Sequence, residues 1–361
     1  MSSVREAVRK GTAGGDRQTL PRNVVIIVAM LALLVVLVGW SAAVGQVYIS
    51  PAEVFGSVMH HLGLDIGPMP SSPNGEETLW TVRFPRIVMG LIVGATLACA
   101  GCLLQGVLAN PLAEPGVIGV SAGAAVGACI AIVSGGIWAS VWGLAGAAFI
   151  SALITVALVY TLSMRDGSSS PIMLILIGIA VNAFASGIIA FLTFLADTND
   201  REQIVFWQLG SLQGIGWKPV WVVLPLAAGA IGVSMLLVRR VDLLSLGEIQ
   251  AAALGVRVES VRRIVIFLVA VLTAAAVAFT GIVMFVGLVV PHLMRLIVGP
   301  KHAILLPASV IGGAIVVCAA DLGARTLMHN ADLPLGMLTS LIGGPVFFLL
   351  LRRSRHSGVG W

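Results

Sequence analysis

The chain has 361 residues, of which 58% are hydrophobic and only 10% charged, and its mean hydropathy is +1.04. Soluble domains carry about 25% charged residues, so this chain could not cover its own surface in water, and its solvent is lipid. Apolar segments of about 20 residues recur along the whole length, which points to an all-α, polytopic membrane protein and excludes the short alternating strands of a β-barrel.

Residues 1–22 carry Arg5, Arg9, Lys10, Arg17 and Arg22 and read as a disordered cytoplasmic tail. The apolar run from Val24 to Val38 has the outline of a signal peptide, but it continues through Gly39-Trp40 and reads as a retained first helix. A polar stretch follows, with a short amphipathic piece from Pro51 to Leu62. Apolar periodicity then predicts helices at about 84–107, 116–136, 139–163, 171–195, 219–238, 264–284, 286–298, 303–327 and 335–351. That makes about ten crossings in one domain, 23–353, with a charged segment at 239–263 and a basic tail at 354–361.

An even number of crossings puts both termini on one side. Arg165, Arg239, Arg240, Arg257, Arg262, Arg263, Arg295, Lys301 and the terminal arginines then share a face, which the positive-inside rule makes cytoplasmic. Asp65, Glu76, Glu77, Asp197, Asp200, Glu202 and Asp332 fall opposite.

The stretch from Arg83 to Gly127 organises the rest. One apolar helix reaches a polar break, Asn110-Pro111-Leu112-Ala113-Glu114-Pro115-Gly116, and a small-residue helix leaves it. Pro111 and Pro115 lack an N–H and restrict the residues before them, so no helix continues through the break. Gly90 and Gly94, and the ladder Gly119, Gly123, Gly127, lie on single helix faces and mark close helix contacts. Cys99 and Cys102 form C-x-x-C, which reads as small-residue packing, with redox or metal chemistry as the sharper alternative.

These residues resemble the signature of the FecCD family, permease subunits of ATP-driven importers for iron chelates, haem and cobalamin. The matching blocks run in order: Arg83-Phe84-Pro85-Arg86, Gln105, the Asn110–Gly116 break, Gly119-Val120-Ser121-Ala122-Gly123, Phe206-Trp207 with Gly210-Ser211-Leu212, Gly281 through Pro291-His292, Asp321 with Arg325, and Leu333-Pro334. The resemblance covers about residues 47–353. It implies a cobalamin-permease-like fold of type II importers, in the bacterial cytoplasmic membrane. The implied partners are a second permease copy, two ATP-binding-cassette ATPases and an extracytoplasmic substrate-binding protein, with no nucleic acid. No cofactor or metal is expected on this chain. No G-x-x-x-x-G-K-[ST] pattern occurs, which leaves ATP and its magnesium to the partner ATPases.

Within that resemblance, Leu246, Gly247, Glu248, Ala253, Leu254, Gly255 and Val256 stand for the coupling helices that seat in the ATPase. The apolar spacing Leu246, Ile249, Ala253, Leu254 between charges is what a disordered loop would not keep. A helix around 248–254, a Gly255 stop and a second short helix are expected. Arg83, Arg86 and Arg325 occupy the family positions that meet carboxylates of the binding protein, although arginines also snorkel at any membrane edge. Asp321 reads as the i, i+4 partner of Arg325, or as a proton relay. His292 and Arg295 beside Pro291 read as structural, and Glu114 as an anchor of its loop. The resemblance implies a translocation path along the permease dimer axis, with helix 171–195 beside it. Its lining face is read as Leu174, Ile177, Ala180, Val181 and Phe184, with a movable polar gate at Ser168, Ser169 and Ser170.

An ion-coupled secondary transporter is the competing class, opposed by the scarcity of intramembrane carboxylates. For cargo, the stretch from Phe206 to Trp217 and the form Gly-Val-Ser-Ala-Gly at 119–123 lean toward haem importers, with ferric siderophores equally open and cobalamin behind.

Overall fold

A computed structural model describes residues 2–45, 47–165, 167–328 and 331–356, with side chains from Arg22 to Leu350 and that of Arg352. The readings that rest on the side chains of Arg5, Arg9, Lys10, Arg17, Arg353 and Arg355, and on residues 357–361, lie outside the described residues.

The chain is helical nearly throughout. α1 (Ser2–Ala43) is followed by α2 (Pro51–His61) and the short α3 (Gly75–Glu77), which runs through a π-helical turn into α4 (Phe84–Val107). Then come α5 (Val120–Ser134), α6 (Val141–Ser163), α7 (Pro171–Leu195) and α8 (Thr198–Leu209). The second half holds α9 (Trp217–Leu244), α10 (Glu248–Ala253), α11 (Val258–Thr280), α12 (Val286–Val298), α13 (His302–Thr326) and α14 (Leu335–His356). Among the described residues, seven helices are long and apolar enough to cross a membrane, and three shorter apolar ones accompany them. One two-residue hairpin, Met164–Arg165 against Ser168–Ser169, joins α6 to α7.

The centre of the bundle is set by small residues. α4 is 83% buried over its apolar window and α11 78%, against 17% for α7. α4 can lie so deep because its glycines admit backbone: a Cβ on Gly94 would overlap the Gly313 carbonyl of α13, and one on Gly101 the Gly287 carbonyl of α12. The α5 ladder works likewise, with Gly123 against Thr155 and Gly127 against Ala147 and Ser151 of α6. In lipid such close approach supplies the dispersion and weak polar contacts that hold helices together.

Three boundaries differ from the sequence reading. The polar stretch after Asp197 is not a loop but α8, because the Asp197 carboxylate caps it by accepting from the Asp200 N–H at 2.9 Å. The charged segment 239–263 is mostly helix ends: α9 runs to Leu244 and α11 starts at Val258, so the second short helix is the first turn of α11. α5 starts at Val120, since Gly119 adopts φ +85° after a 3₁₀ turn at Pro115–Ile118.

Two faces emerge. On one, the end of α9 meets the start of α13 through Asp242 and His302 (2.6 Å), and Arg22 of α1 reaches the Ile297 carbonyl of α12 (3.3 Å). On the other, α1 ends against Arg83 of the π-turn and Arg325 of α13.

The Gly94–Gly313 crossing can be tested directly. Gly94→Ala should lower stability by about 1–3 kcal/mol, as overpacking does, seen as a lower melting temperature of the detergent-solubilised protein. Gly146→Ala, where a Cβ meets nothing within 4 Å, should leave that temperature unchanged or slightly higher.

Candidate functional site

Two of the helices are too short to cross. α5 has 15 residues and α12 has 13, which at 1.5 Å per residue span about 22 and 20 Å of a hydrocarbon core near 30 Å. Each begins inside the bundle after irregular backbone: residues 108–119 before α5, 281–285 before α12. Ala109, Gly119, Gly281 and Phe285 there take positive φ, from +47° to +85°. Non-helical backbone at this depth persists only where protein satisfies it or where it lines a cavity. Both conditions hold here.

Gln105, 1% exposed, holds both breaks. Its Nε2 donates toward the carbonyls of Ala113 (3.3 Å), Gly287 (3.4 Å) and Leu288 (3.3 Å), while Arg295 donates to its Oε1 at 3.3 Å. The Asn110 side chain accepts from the Leu112 N–H at 2.9 Å and shapes the turn, and Asn182 of α7 donates to the Gly116 carbonyl at 3.0 Å. Pro115 opens the 3₁₀ turn, and Pro291 lies inside α12.

Between the two breaks and α7 lies a cavity of about 580 Å³. Asn110, Glu114 and Gly116 border it from the first break, Ile282 to Phe285 from the second, and Gln208 from α8. The Asn182 Oδ1 and the Thr273 hydroxyl also border it, each buried without a protein partner. Discontinuous helices whose N-termini meet near mid-membrane are how transporters build a site from backbone.

The face of α7 on this cavity is Ile175, Ile179, Asn182, Ser186 and Ile189. The face read from the sequence as lining a path on the permease dimer axis is a different one. Leu174 is 0% exposed, Ile177 and Val181 pack on the same core, and Phe184, 72% exposed, points elsewhere. α7 is apolar all round, so its hydrophobic period could not select a face. The lone Asn182 in that helix was the usable signal.

On the face carrying the end of α9, α10 projects as a compact amphipathic turn. Gly247 at φ +114° opens it, and Gly255 at φ +82° turns the chain toward α11. Leu246, Ile249 and Leu254 are 62%, 84% and 62% exposed, while Ala251 is buried beneath them; Glu248 and Ala253 are exposed and Val256 packs partly inward. Three large apolar side chains held outward on a short segment are the kind of surface on which another protein docks. The serines before α7 are less free than their composition suggests. Ser169 is 3% exposed, and its N–H and hydroxyl both donate to Glu259 at 3.0 Å; Ser168 is exposed and Ser170 half-buried.

At the opposite face, the three arginines turn inward. Arg83, 4% exposed, donates to the carbonyls of Ala42 (2.5 Å), Ala43 (3.0 Å) and Val47. Arg86 bridges Asp321 (2.9 Å) and Asp332 (2.6 Å). Arg325 lies 3.2 Å from Asp321, its i, i+4 partner, and donates to Ser41 and to the Val44 carbonyl. Direct contact of Arg83 with a partner's carboxylate does not fit this geometry, since backbone carbonyls take its donors. The Asp332 bridge had no sequence signal, because it joins residues 246 positions apart. Beside the cluster lies a cleft of about 500 Å³, lined also by Thr78, Thr81 and Gln213 to Gly216.

Asp321→Asn removes a carboxylate shared by two buried guanidiniums and should destabilise the protein by about 3–5 kcal/mol. Asp332→Asn, on the more exposed arm, should cost less; thermal unfolding of both variants in detergent checks the order.

The FecCD transport family model matches residues 33–353. The chain is 36% identical over 337 residues to the hemin transport system permease protein of Yersinia pestis, covering 92% of this chain and 96% of that one. It is 41% identical over 272 residues to the cobalamin import system permease protein of Halobacterium salinarum (75% and 72% covered). It is 35% identical over 338 residues to the molybdate import system permease protein of Haemophilus influenzae (92% and 97%). A solved structure described as an inward-facing metal-chelate type ABC transporter aligns with a TM-score of 0.80 and 34% identity, over 91% of this chain and 99% of that one. Half-helices around a cavity, an outward apolar segment between α9 and α11, and these alignments agree: the chain belongs to the FecCD transport family, as a multi-span permease subunit of a type II ABC importer whose ATPase activity lies in separate subunits.

Proposed function

We propose that this permease passes an iron-containing chelate, haem or a ferric siderophore, from an extracytoplasmic binding protein to the cytoplasm by alternating access. The observation that carries this is the cavity lining. Leu97, Ile175, Ile179 and Ile189 share it with Asn182, Gln208 and Glu114, and no lysine or arginine is among the lining residues. Such a surface suits a bulky amphipathic chelate. An oxyanion such as molybdate would meet a carboxylate and no cation. Cobalamin, also bulky and amphipathic, is the alternative cargo that the same lining accepts.

In this reading the α10 face is cytoplasmic, as Arg239, Arg240, Arg257 and Arg263 beside it favour, and both termini share that side. Leu246, Ile249 and Leu254 seat in the ATPase. The outer cleft beside Arg86, Arg325 and Asp332 receives the binding protein. Its cluster sums three guanidiniums against two carboxylates, so an acidic residue of the partner is favoured there even though the arginines are held from within. A second copy of this chain completes the path, supported by the open α7 flank and by an apolar groove of about 430 Å³ along α12, α13 and α14.

Two measurements test this. In proteoliposomes with the ATPase and binding protein, ATP-dependent uptake should be seen with haem or a ferric siderophore and not with molybdate; molybdate uptake, or uptake that survives without ATP, overturns the reading. Gly255→Val meets no clash, since nothing lies within 4 Å, but it places a β-branched residue at φ +82°, a conformation costing about 1–2 kcal/mol. It should lower uptake per ATP hydrolysed, while the melting temperature falls by no more than a few degrees.

A further inference from the structure

The expected coupling segment and the expected gate are read from separate stretches of sequence, yet one side chain joins them. Arg262, one turn into α11, is 0% exposed. Its Nη2 donates to Glu248 of α10 at 2.5 Å. Its Nη1 donates to the Ser169 carbonyl, and also to the Ser169 hydroxyl and Glu259, both at 3.3 Å. Glu259, one turn earlier on the same face of α11, accepts from the Ser169 N–H and hydroxyl and from Tyr160 of α6. Every polar group of Ser169 is therefore gripped, and Pro171 opens α7 two residues later.

We propose that Arg262 is the positioning residue that makes α10 and the hairpin before α7 one mechanical unit, so that motion imposed on α10 moves the cytoplasmic gate directly. This rests on the reading of α10 as the ATPase seat. The chemistry favours a transmitting role over mere packing. A buried ion pair stabilises poorly against apolar side chains of the same volume, whereas a planar guanidinium holds two acceptors in fixed, divergent directions. Lysine has the charge but not the fork. The Arg262 Nε is buried with no partner, so the link rests on the two terminal nitrogens, which reach the α10 carboxylate and the hairpin.

The test uses the full complex in proteoliposomes. Arg262→Lys should keep assembly and ATP hydrolysis, while cargo uptake per ATP falls about tenfold, the scale of one lost charge-assisted hydrogen bond. Spin labels at Ala252→Cys and Ser168→Cys, both exposed positions, should report one narrow distance in nucleotide-free and vanadate-trapped states. In the Arg262→Lys background that distance should broaden and differ between states. If Arg262→Lys fails to fold, Glu248→Ala, Ser169→Ala and their combination replace it: links of one chain should be non-additive, the double variant no worse than the poorer single. Unchanged uptake per ATP with unchanged label distances, or additive losses, overturns the proposal while leaving the transporter reading intact. A wild-type complex that shows no ATP-dependent uptake removes both.

Discussion

Lipid offers backbone groups no hydrogen bonds, and the site depends on how this chain meets that demand. The two breaks, before α5 and before α12, would each be untenable if they faced the bilayer. They face each other and a cavity instead, with the Gln105 amide placed where both can use it. One glutamine thereby does what a full helical turn would do elsewhere. The glycines of α4 are the second half of the same solution, because only a backbone-to-backbone approach at Gly101 and Gly287 brings the breaks within one side chain's reach.

The two faces handle polarity in opposite ways. At the face holding Asp321, charges close inward: Arg83, Arg86 and Arg325 are tied to carboxylates and to the carbonyls that end α1. Desolvation makes such a cluster a weak source of net stability. What it supplies is registration, holding α1, α4, α13 and the segment before α14 in one arrangement. At the α10 face, apolar side chains open outward, and the charge beneath them, Arg262, is fully buried. The first face spends its charges within the chain, whereas the second leaves its apolar side chains uncovered.

The sequence made the helical membrane class and the Asn110–Gly116 break legible, because proline, glycine and the loss of apolar period are local signals; the second break, 281–285, fell at the end of the helix predicted at 264–284. Asp197 as a cap was equally local and was hidden only by the polarity of α8. The α7 face on the cavity was not legible: leucine, isoleucine and valine surround that helix, and only Asn182 and Ser186 mark that side. The partners of Arg83 and Arg86 were out of reach for a different reason. Carbonyls at the end of α1 and the distant Asp332 enter no spacing rule, so an arginine facing in and one facing out look alike.

Burial also explains why the hairpin before α7, composed of small polar residues, is held firmly. Composition says that Ser168, Ser169 and Ser170 move easily. The bonds say that Ser169 moves with α11's first turn and with Glu248. Breaking those bonds would expose a guanidinium and a carboxylate to a poorly solvated interface, whereas displacing the cluster as a body breaks none of them. On the proposal above, the motion that keeps these bonds carries α10, the hairpin and the starts of α7 and α11 together. The helix that follows the hairpin carries Ile175, Ile179 and Asn182 onto the cavity.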